Sequence, residues 1–297
     1  MTRLLCAGIA TVDLIFGVDT LPTRPEKHRA RATDLTTGGC ALNAAVAAAR
    51  LGGDVAFLGR IGGDAFGDLI ARTLSGEGID TALLHCDRGR PTPRSAIMVD
   101  AAGERMIVNH RDDGLFADPP SPIARDFDAA LADTRWPAGA AALLAAARAR
   151  GVPGVLDAEA PVAIASAALD CASHIAFSEQ GLADYTGIPD MAEALHDAAR
   201  RHPAAWLCVT RGAAPVLALH HGTITEIQSF PVTAVDTLGA GDVWHGAFAL
   251  FLGEGADETT AVRHANAVAA LKTTRFGGHA ATPDRPALHA FLKETTP

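Results

Sequence analysis

The sequence predicts an α/β fold, a mainly parallel central sheet covered by helices on both faces, with a small β lid attached. Short apolar runs of strand length alternate with helical stretches along most of the chain, and this alternation builds parallel sheets buried on both sides. Two stretches break the pattern, at about residues 14–36 and 90–111. Their strand-like runs are interrupted by turn residues and charge, as expected of β insertions outside the main sheet. Composition supplies the third observation: 48% hydrophobic and 20% charged residues in a 297-residue chain suffice for one large core. A single domain over residues 1–297 is expected, with lid insertions at about 14–36 and 90–111.

Residues 4–10 read as a buried first strand. Asp13 follows its end, where parallel α/β sheets place ligand-binding groups, although a turn or cap aspartate fits that position equally well. The next stretch holds Leu21-Pro22, Pro25 and the charged run Glu26-Lys27-His28-Arg29, and reads as a β excursion. Thr36-Thr37-Gly38-Gly39-Cys40-Ala41-Leu42-Asn43 then opens an alanine-rich helix over residues 44–51. Asn43 either points its amide at a ligand or satisfies backbone groups at the helix start. A strand at 55–60, a turn at 61–64 and a helix at 66–74 follow. Strands are expected at 82–86, 95–100 and 105–109, the last two joined by the hairpin signal Ala101-Ala102-Gly103-Glu104. From about residue 127 the βα alternation is regular. Strands are expected at 129–133, 152–157, 174–178 and 206–210, with helices at 138–150, 162–169 and 191–201. A hairpin over 216–219 and 223–227 turns around His220-His221-Gly222. Helices at about 240–252, 258–273 and 286–292 close the chain.

Charge and cysteine usage narrow the function classes. A net charge of −9 argues against nucleic acid or an anionic membrane as the main partner, while leaving room for a small anionic substrate. No run of 18 apolar residues and no signal peptide is expected, which suits a cytoplasmic protein away from membranes. The five cysteines are odd in number and form no Cys-x-x-Cys pair, a pattern that fits a reducing compartment and no structural zinc.

The chemistry concentrates in Val235-Asp236-Thr237-Leu238-Gly239-Ala240-Gly241-Asp242, which runs directly into a helix. A glycine turn at a helix N-terminus points unpaired N–H groups at one spot, with the positive end of the helix dipole behind them. That geometry binds anions. Asp242 is out of place in a pure phosphate loop, but it suits an enzyme that takes a proton from a hydroxyl as that oxygen attacks phosphorus. The same residues also fit an ordinary capped helix start.

Two motifs nearly 200 residues apart, Gly38 to Ala45 continuing through Arg60-Ile61-Gly62-Gly63-Asp64, and Asp236 to Asp242, together resemble the paired signatures of the ribokinase-like (PfkB) carbohydrate kinases. The resemblance spans essentially the whole chain and implies a ribokinase-like three-layer sandwich that phosphorylates a sugar hydroxyl with ATP and Mg²⁺. It makes Asp242 the base and the amides of Gly239, Ala240 and Gly241 the anion hole. Asp13, Gly38, Gly39 and Asn43 would meet the sugar. Ser178, Thr210, Arg211, Gly212, Gly239, Gly241 and Asn266 would meet the nucleotide. Two departures stand out. The family's Asn-x-x-Glu stretch is Ser178-Glu179-Gln180-Gly181 here, so its Glu position is Gly181 and Glu179 becomes the candidate for the metal network. The nucleotide motif Thr-x-Gly-x-x-Gly appears as Thr210-Arg211-Gly212-Ala213-Ala214-Pro215, without its second glycine. A monovalent cation beneath the anion hole would depend on the placement of backbone carbonyls in the loop.

Several stretches, among them Leu131 to Trp136, Ala176 to Glu179 and Ala269 to Lys272, are similar to the sulfofructose kinases of that family, which share the Ser-Glu-x-Gly departure. Asn43 stands where that subgroup has a smaller residue. The similarity implies phosphoryl transfer to the C1 hydroxyl of 6-deoxy-6-sulfofructose, with Lys27, Asn109 and Arg135 gripping the sulfonate. Taken by composition alone, Lys27 and Arg135 are ordinary solvated charges. Fructose, fructose 6-phosphate or a ribose-like sugar are the alternative acceptors. A sugar- or nucleotide-binding regulator without catalysis is the alternative outside enzymes. A dinucleotide oxidoreductase is set aside, since no Gly-x-Gly-x-x-Gly follows the first strand. Pairing through the lid suggests a homodimer.

Overall fold

The structure, a computed structural model, describes residues 1–295 except Gly103, Asp118 and His221. The expected hairpin turns at 101–104 and 220–222 therefore each include a residue outside the described set.

The first strand is shorter than its apolar run. β1 (Arg3–Ala7) is buried from Leu4 onward and stops at Gly8, whose φ of 151° lies in glycine territory. A Cβ at Gly8 would sit 2.3 Å from the carboxylate of Asp133, so the turn both requires glycine and delivers the chain to a buried acid. β2 (Thr11–Gly17) and β3 (Ala32–Gly38) then leave the main sheet. α1 (Cys40–Arg50) begins four residues earlier than its alanine run, because Gly39, at φ 103°, acts as its N-cap.

β4 (Asp54–Gly62), α2 (Ala65–Gly76) and β5 (Leu84–Asp87) complete the first half of the large sheet. Asp64 caps α2 by accepting from the Gly67 amide. β6 (Arg94–Val99) and β7 (Arg105–His110) join β2 and β3 in a second sheet of order β3-β2-β6-β7.

The regular βα region follows: β8 (Ala129–Asp133), α3 (Pro137–Arg150), β9 (Gly154–Ala158), α4 (Ser166–Cys171) and β10 (His174–Ser178). The helix expected at 162–169 is divided into a 3₁₀ turn over Ala163–Ala165 and α4. α5 (Glu179–Thr186) has no counterpart among the expected elements. Ser178 caps it by accepting from Gly181 N, and Gly187 ends it in the left-handed region. α6 (Met191–Arg201), β11 (Trp206–Arg211), β12 (Ala214–His220), β13 (Thr223–Ile227), α7 (Ala240–Gly253), α8 (Glu258–Thr273) and α9 (Arg285–Thr295) complete the chain.

The large sheet runs β13-β12-β11-β10-β9-β8-β1-β4-β5 and is parallel except at β11–β12 and β12–β13. One apolar core, with Leu42, Val46, Phe248 and Val262, lies under α1, α7 and α8. The other, with Trp136, Leu143, Leu169 and Leu195, lies under α3, α4 and α6 on the opposite face. The result is the three-layer α/β sandwich expected from the βα alternation. Among the described residues, no helix is long and apolar enough to cross a membrane, and all five cysteines are free.

Candidate active site

The two halves of the site meet because α1 and α7 touch at a glycine. A Cβ on Gly246 would lie 2.2 Å from the carbonyl oxygen of Ala44, so the two helices pack at backbone distance. This brings Asn43 of α1 against Asp242 in the first turn of α7, with Asn43 Nδ2 donating to Asp242 Oδ2 at 2.7 Å. The other amide oxygen, Asn43 Oδ1, is buried and has no hydrogen-bond partner among the described residues. A buried acceptor in that state favours an incoming donor such as a hydroxyl.

Burial first, and then the like charge of Asp157, push the Asp242 carboxyl up to about 6, against the opposing hydrogen bond from Asn43. Asp157 is 4% exposed, and its own carboxyl is pushed well above the usual range, chiefly by burial. Cys40, Asp157 and Asp242 bring ligand atoms within 4.8 Å of one another. Burial holds the Cys40 thiol protonated, which removes it as a nucleophile, and a thiol is a poor partner for Mg²⁺. His245, buried on the same helix, is fixed by the carbonyls of Gly241 (2.7 Å) and Ala176 (3.2 Å) and faces Asp157 at 3.5 Å. It is 3% exposed and ties the first turn of α7 to β10.

Gly239 adopts the left-handed conformation (φ 73°) as N-cap of α7 and turns the loop towards the helix mouth. Of the three amides expected to form the anion hole, that of Ala240 is engaged, donating to Thr237 O at 3.2 Å. Those of Gly239 and Gly241 donate to no backbone carbonyl among the described residues. An arriving oxyanion would compete with the Thr237 carbonyl for the Ala240 amide.

The other expected site residues divide between two surfaces. Across the second sheet, register places Thr36, Asp13, Ser95 and Asn109 in one row on one face. Asp13 is raised by burial against a hydrogen bond from Ser95. Gly38 gives it room, since a Cβ there would come within 2.3 Å of Asp13 Oδ2. At Gly39 a Cβ would meet the Ile9 carbonyl at 2.5 Å, so this glycine is imposed by the chain crossing. Lys27 is exposed on the connection between β2 and β3, and Asn109 is exposed on the edge strand β7. Arg135 leaves the C-terminal end of β8 with Nη1 donating to the Ala160 carbonyl at 2.7 Å.

A cleft of about 800 Å³ opens on the far side of the α7 N-terminus. It is within the range of small-molecule sites, large enough for a nucleotide. Ser178, Thr210, Arg211, Gly212, Gly241 and Asn266 line it, whereas Gly239 does not. Arg211 Nε is turned back onto Pro215 O at 2.8 Å. Asn266 is anchored from both ends, accepting from Trp244 Nε1 (2.7 Å) and donating to Gln228 O (3.1 Å). It therefore shapes the wall as much as it offers contacts. Glu159 and Glu179 both line the cleft, and hard carboxylate oxygens beside a nucleotide's phosphates suit Mg²⁺. A Cβ on Gly181 would sit 2.0 Å from the Ala158 carbonyl, so a glutamate at that position has no room in this backbone.

Behind the loop, oxygens do converge on one point, but an ammonium holds it. Lys272 Nζ donates to the carbonyl of Asp236 (3.0 Å), to Asp236 Oδ2 (3.2 Å) and to the carbonyl of Leu238. A monovalent metal ion does not fit the same position. Lys272 was not among the expected site residues, yet a signal exists: it follows Ala261, Ala265 and Val268 at helical spacing on the buried stripe of α8. Asp133 was also passed over. At 2% exposure it accepts from the amides of Ile9 (2.9 Å), Ala41 (3.1 Å) and Arg135 (2.8 Å), tying three chain turns to one carboxylate.

Comparison with known proteins agrees with this geometry. The model of the pfkB family carbohydrate kinases matches residues 1–285. A fructokinase from Klebsiella pneumoniae is 32% identical over 281 residues, covering 86% of this chain and 91% of its own. A crystal structure from Agrobacterium tumefaciens, provisionally called a ribokinase, superposes with a TM-score of 0.93 at 35% identity, covering 99% of this chain and 98% of its own. Ribokinase from Arabidopsis thaliana, complexed with ribose and ATP, superposes with a TM-score of 0.84 at 26% identity over 99% of both chains.

Proposed function

Since the chain belongs to the pfkB family of carbohydrate kinases, we propose that it transfers the γ-phosphoryl group of ATP to a sugar hydroxyl with Asp242 as the base. The observation that carries this reading is the position of Asp242. It is raised to about 6 and bonded to Asn43 on one side, and it adjoins Gly241 on the wall of the nucleotide-sized cleft on the other. A sugar hydroxyl beside Asn43 would lie within reach of the Asp242 carboxylate, which accepts the proton as the oxygen–phosphorus bond forms. The amides at Gly239–Gly241 would meet the oxygens of the moving group. Glu159 and Glu179 would hold Mg²⁺ with the nucleotide, and the ion would neutralise charge on the phosphoryl oxygens. The second sheet would act as a lid that keeps water from the acceptor's place.

The acceptor we propose is 6-deoxy-6-sulfofructose, phosphorylated at the C1 hydroxyl to its 1-phosphate. The row Thr36–Asp13–Ser95–Asn109 supplies hydroxyl partners across about 15 Å of sheet, enough for a hexose. Lys27 and Arg135 add two cations for the single charge of a sulfonate, and Arg135 commits one of its five N–H donors to Ala160. A second reading, fructose or a ribose-like sugar, is favoured by the names of the relatives: a fructokinase, and a ribokinase with ribose bound. The same sheet, with an apolar outer face, would join two copies in a homodimer.

Steady-state kinetics with ATP and, in turn, sulfofructose, fructose, fructose 6-phosphate and ribose separate the readings. Sulfofructose should give the highest kcat/KM. Equal or better turnover of fructose or ribose would leave the sugar kinase standing and remove the sulfosugar. No transfer to any sugar would favour a regulator.

A further inference from the structure

We propose that Lys272 is a tethered cation that takes the place of a monovalent metal ion beneath the anion hole, so that this kinase works without one. The inference rests on the reading of the loop from Asp236 to Asp242 as the phosphoryl-binding site.

The surroundings of Lys272 are built for a cation. The residue is 0% exposed, and burying an ammonium is unfavourable unless each of its donors is met. Here three oxygens meet the three donors, all from the segment that leads into the anion hole: Asp236 O, Asp236 Oδ2 and Leu238 O. Asp236 is itself clamped, with Oδ1 accepting from Leu238 N (2.9 Å) and Oδ2 from Gly277 N (3.2 Å) and Gly278 N (3.1 Å). The amides of Val235 and Asp236 both donate to Thr273 O, at 2.7 and 3.0 Å, on the residue after Lys272. The C-terminal turn of α8 thus fixes the loop by a carbonyl and an ammonium together.

Lys272 is a positioning residue, acting through Asp236 and Leu238 on the turn at Gly239. An ammonium and a potassium ion are close in size and both are bound by carbonyl and carboxylate oxygens. The side chain therefore does what a bound ion would do, at no entropic cost of capture and with no dependence on salt composition. Its charge also stands near the base, whose negative form it favours by attraction.

The test compares wild type, Lys272→Ala and Lys272→Met in choline, sodium and potassium chloride at equal ionic strength, and adds ammonium chloride for the variants. Wild-type kcat should agree within about two-fold in all three salts, and its melting temperature should not respond to potassium. Lys272→Ala should lose roughly 10²-fold in kcat in choline, as expected for a slightly misplaced anion hole. Potassium or ammonium should restore at least about ten-fold of it and, without substrates, raise the variant's melting temperature by several degrees. Lys272→Met fills the same space without charge and should stay low in every salt.

Wild-type activity that rises about ten-fold with potassium overturns the proposal. So does a Lys272→Ala protein whose activity and melting both ignore potassium and ammonium, one that stays unfolded in every salt, or a Lys272→Met protein rescued equally well. If wild type phosphorylates no sugar, the kinase reading fails. The melting response of Lys272→Ala still decides whether the position binds a free cation.

Discussion

A carboxylate that must collect a proton near neutrality works better with a pKa close to the working pH than with one near 4. Asp242 is held at about 6 by burial and the neighbouring Asp157, and this has consequences for rate and stability. If Asp242 is the base, kcat should fall about ten-fold per pH unit below roughly 6, where the carboxyl is protonated. Asp242→Asn should bind sugar and ATP by calorimetry yet lose about 10²- to 10⁴-fold in turnover; unchanged turnover would remove Asp242 from the chemistry. A carboxyl whose folded pKa lies above its unfolded value of 3.8 binds protons more tightly when folded. Stability is therefore lost as pH rises from about 4 to about 6, to the extent of about 3 kcal/mol at most. Asp242→Asn should thus melt several degrees above wild type at pH 7.5, with the gap closing near pH 4. Asp13 and Asp133 are also raised, but they titrate in both proteins and cancel from the difference, whereas Asp157 is coupled to Asp242 and loses a like-charge neighbour in the variant, which acts in the same direction. The positions of Asn43, Asp242 and the glycines at the starts of two helices were legible in the sequence, because a glycine turn before an apolar helical run is a local signal. Asp133, Asp157 and Lys272 were not, because an isolated polar residue in an apolar run declares its partners only once distant strands and helices assemble.

At the scale of elements, the site depends on how closely two helices approach. Val243, Ala247 and Phe248 of α7 are buried along with Ala41, Ala44 and Ala48 of α1, and Gly246 marks the backbone contact between them. Gly246→Ala has two opposed effects. In an isolated helix, alanine is better than glycine by about 1 kcal/mol. Here the added methyl meets the Ala44 carbonyl at 2.2 Å, and overpacking costs about 1–3 kcal/mol. The clash should win, lowering the melting temperature and separating Asn43 from Asp242, with kcat reduced by about 10²-fold for a displacement near 1 Å. A variant that melts above wild type with full activity would show that the helices are not held at that distance. Most elements could be read from the sequence because period and caps agree, as in β8, β10, α6 and α8, whose observed bounds equal the expected ones. The misses have local causes. Gly8 splits an apolar run that looked like one strand, and α5 carries too few apolar residues to show a helical stripe, relying instead on Ser178 and Gly187 at its ends.

At the scale of the whole molecule, the second sheet has two faces with opposite tasks. Asp13, Ser95 and Asn109 share one face. On the other, register aligns Leu35, Leu14, Ala96 and Val108, and two residues further along Thr33, Phe16, Met98 and Met106. Leu14, Leu35, Met106 and Val108 are 37%, 48%, 37% and 61% exposed, a concentration of apolar surface that water does not favour. The sheet's outer strands, β3 and β7, also leave edges open to pairing. A second copy of the chain satisfies both features, since the same face can cover itself about a two-fold axis. Sedimentation velocity should therefore give a dimer at micromolar concentration, and Val108→Lys, which puts a charge into the apolar face of both copies, should give a monomer. Val108 lies beside Asn109, so losing the partner also loosens the strand that carries a proposed sugar contact. The monomeric variant should show a KM for the sugar raised several-fold while the KM for ATP, whose proposed cleft is lined by no residue of the second sheet, stays unchanged. A wild type that sediments as a monomer, or a variant whose two KM values rise together, would separate the apolar face from sugar binding.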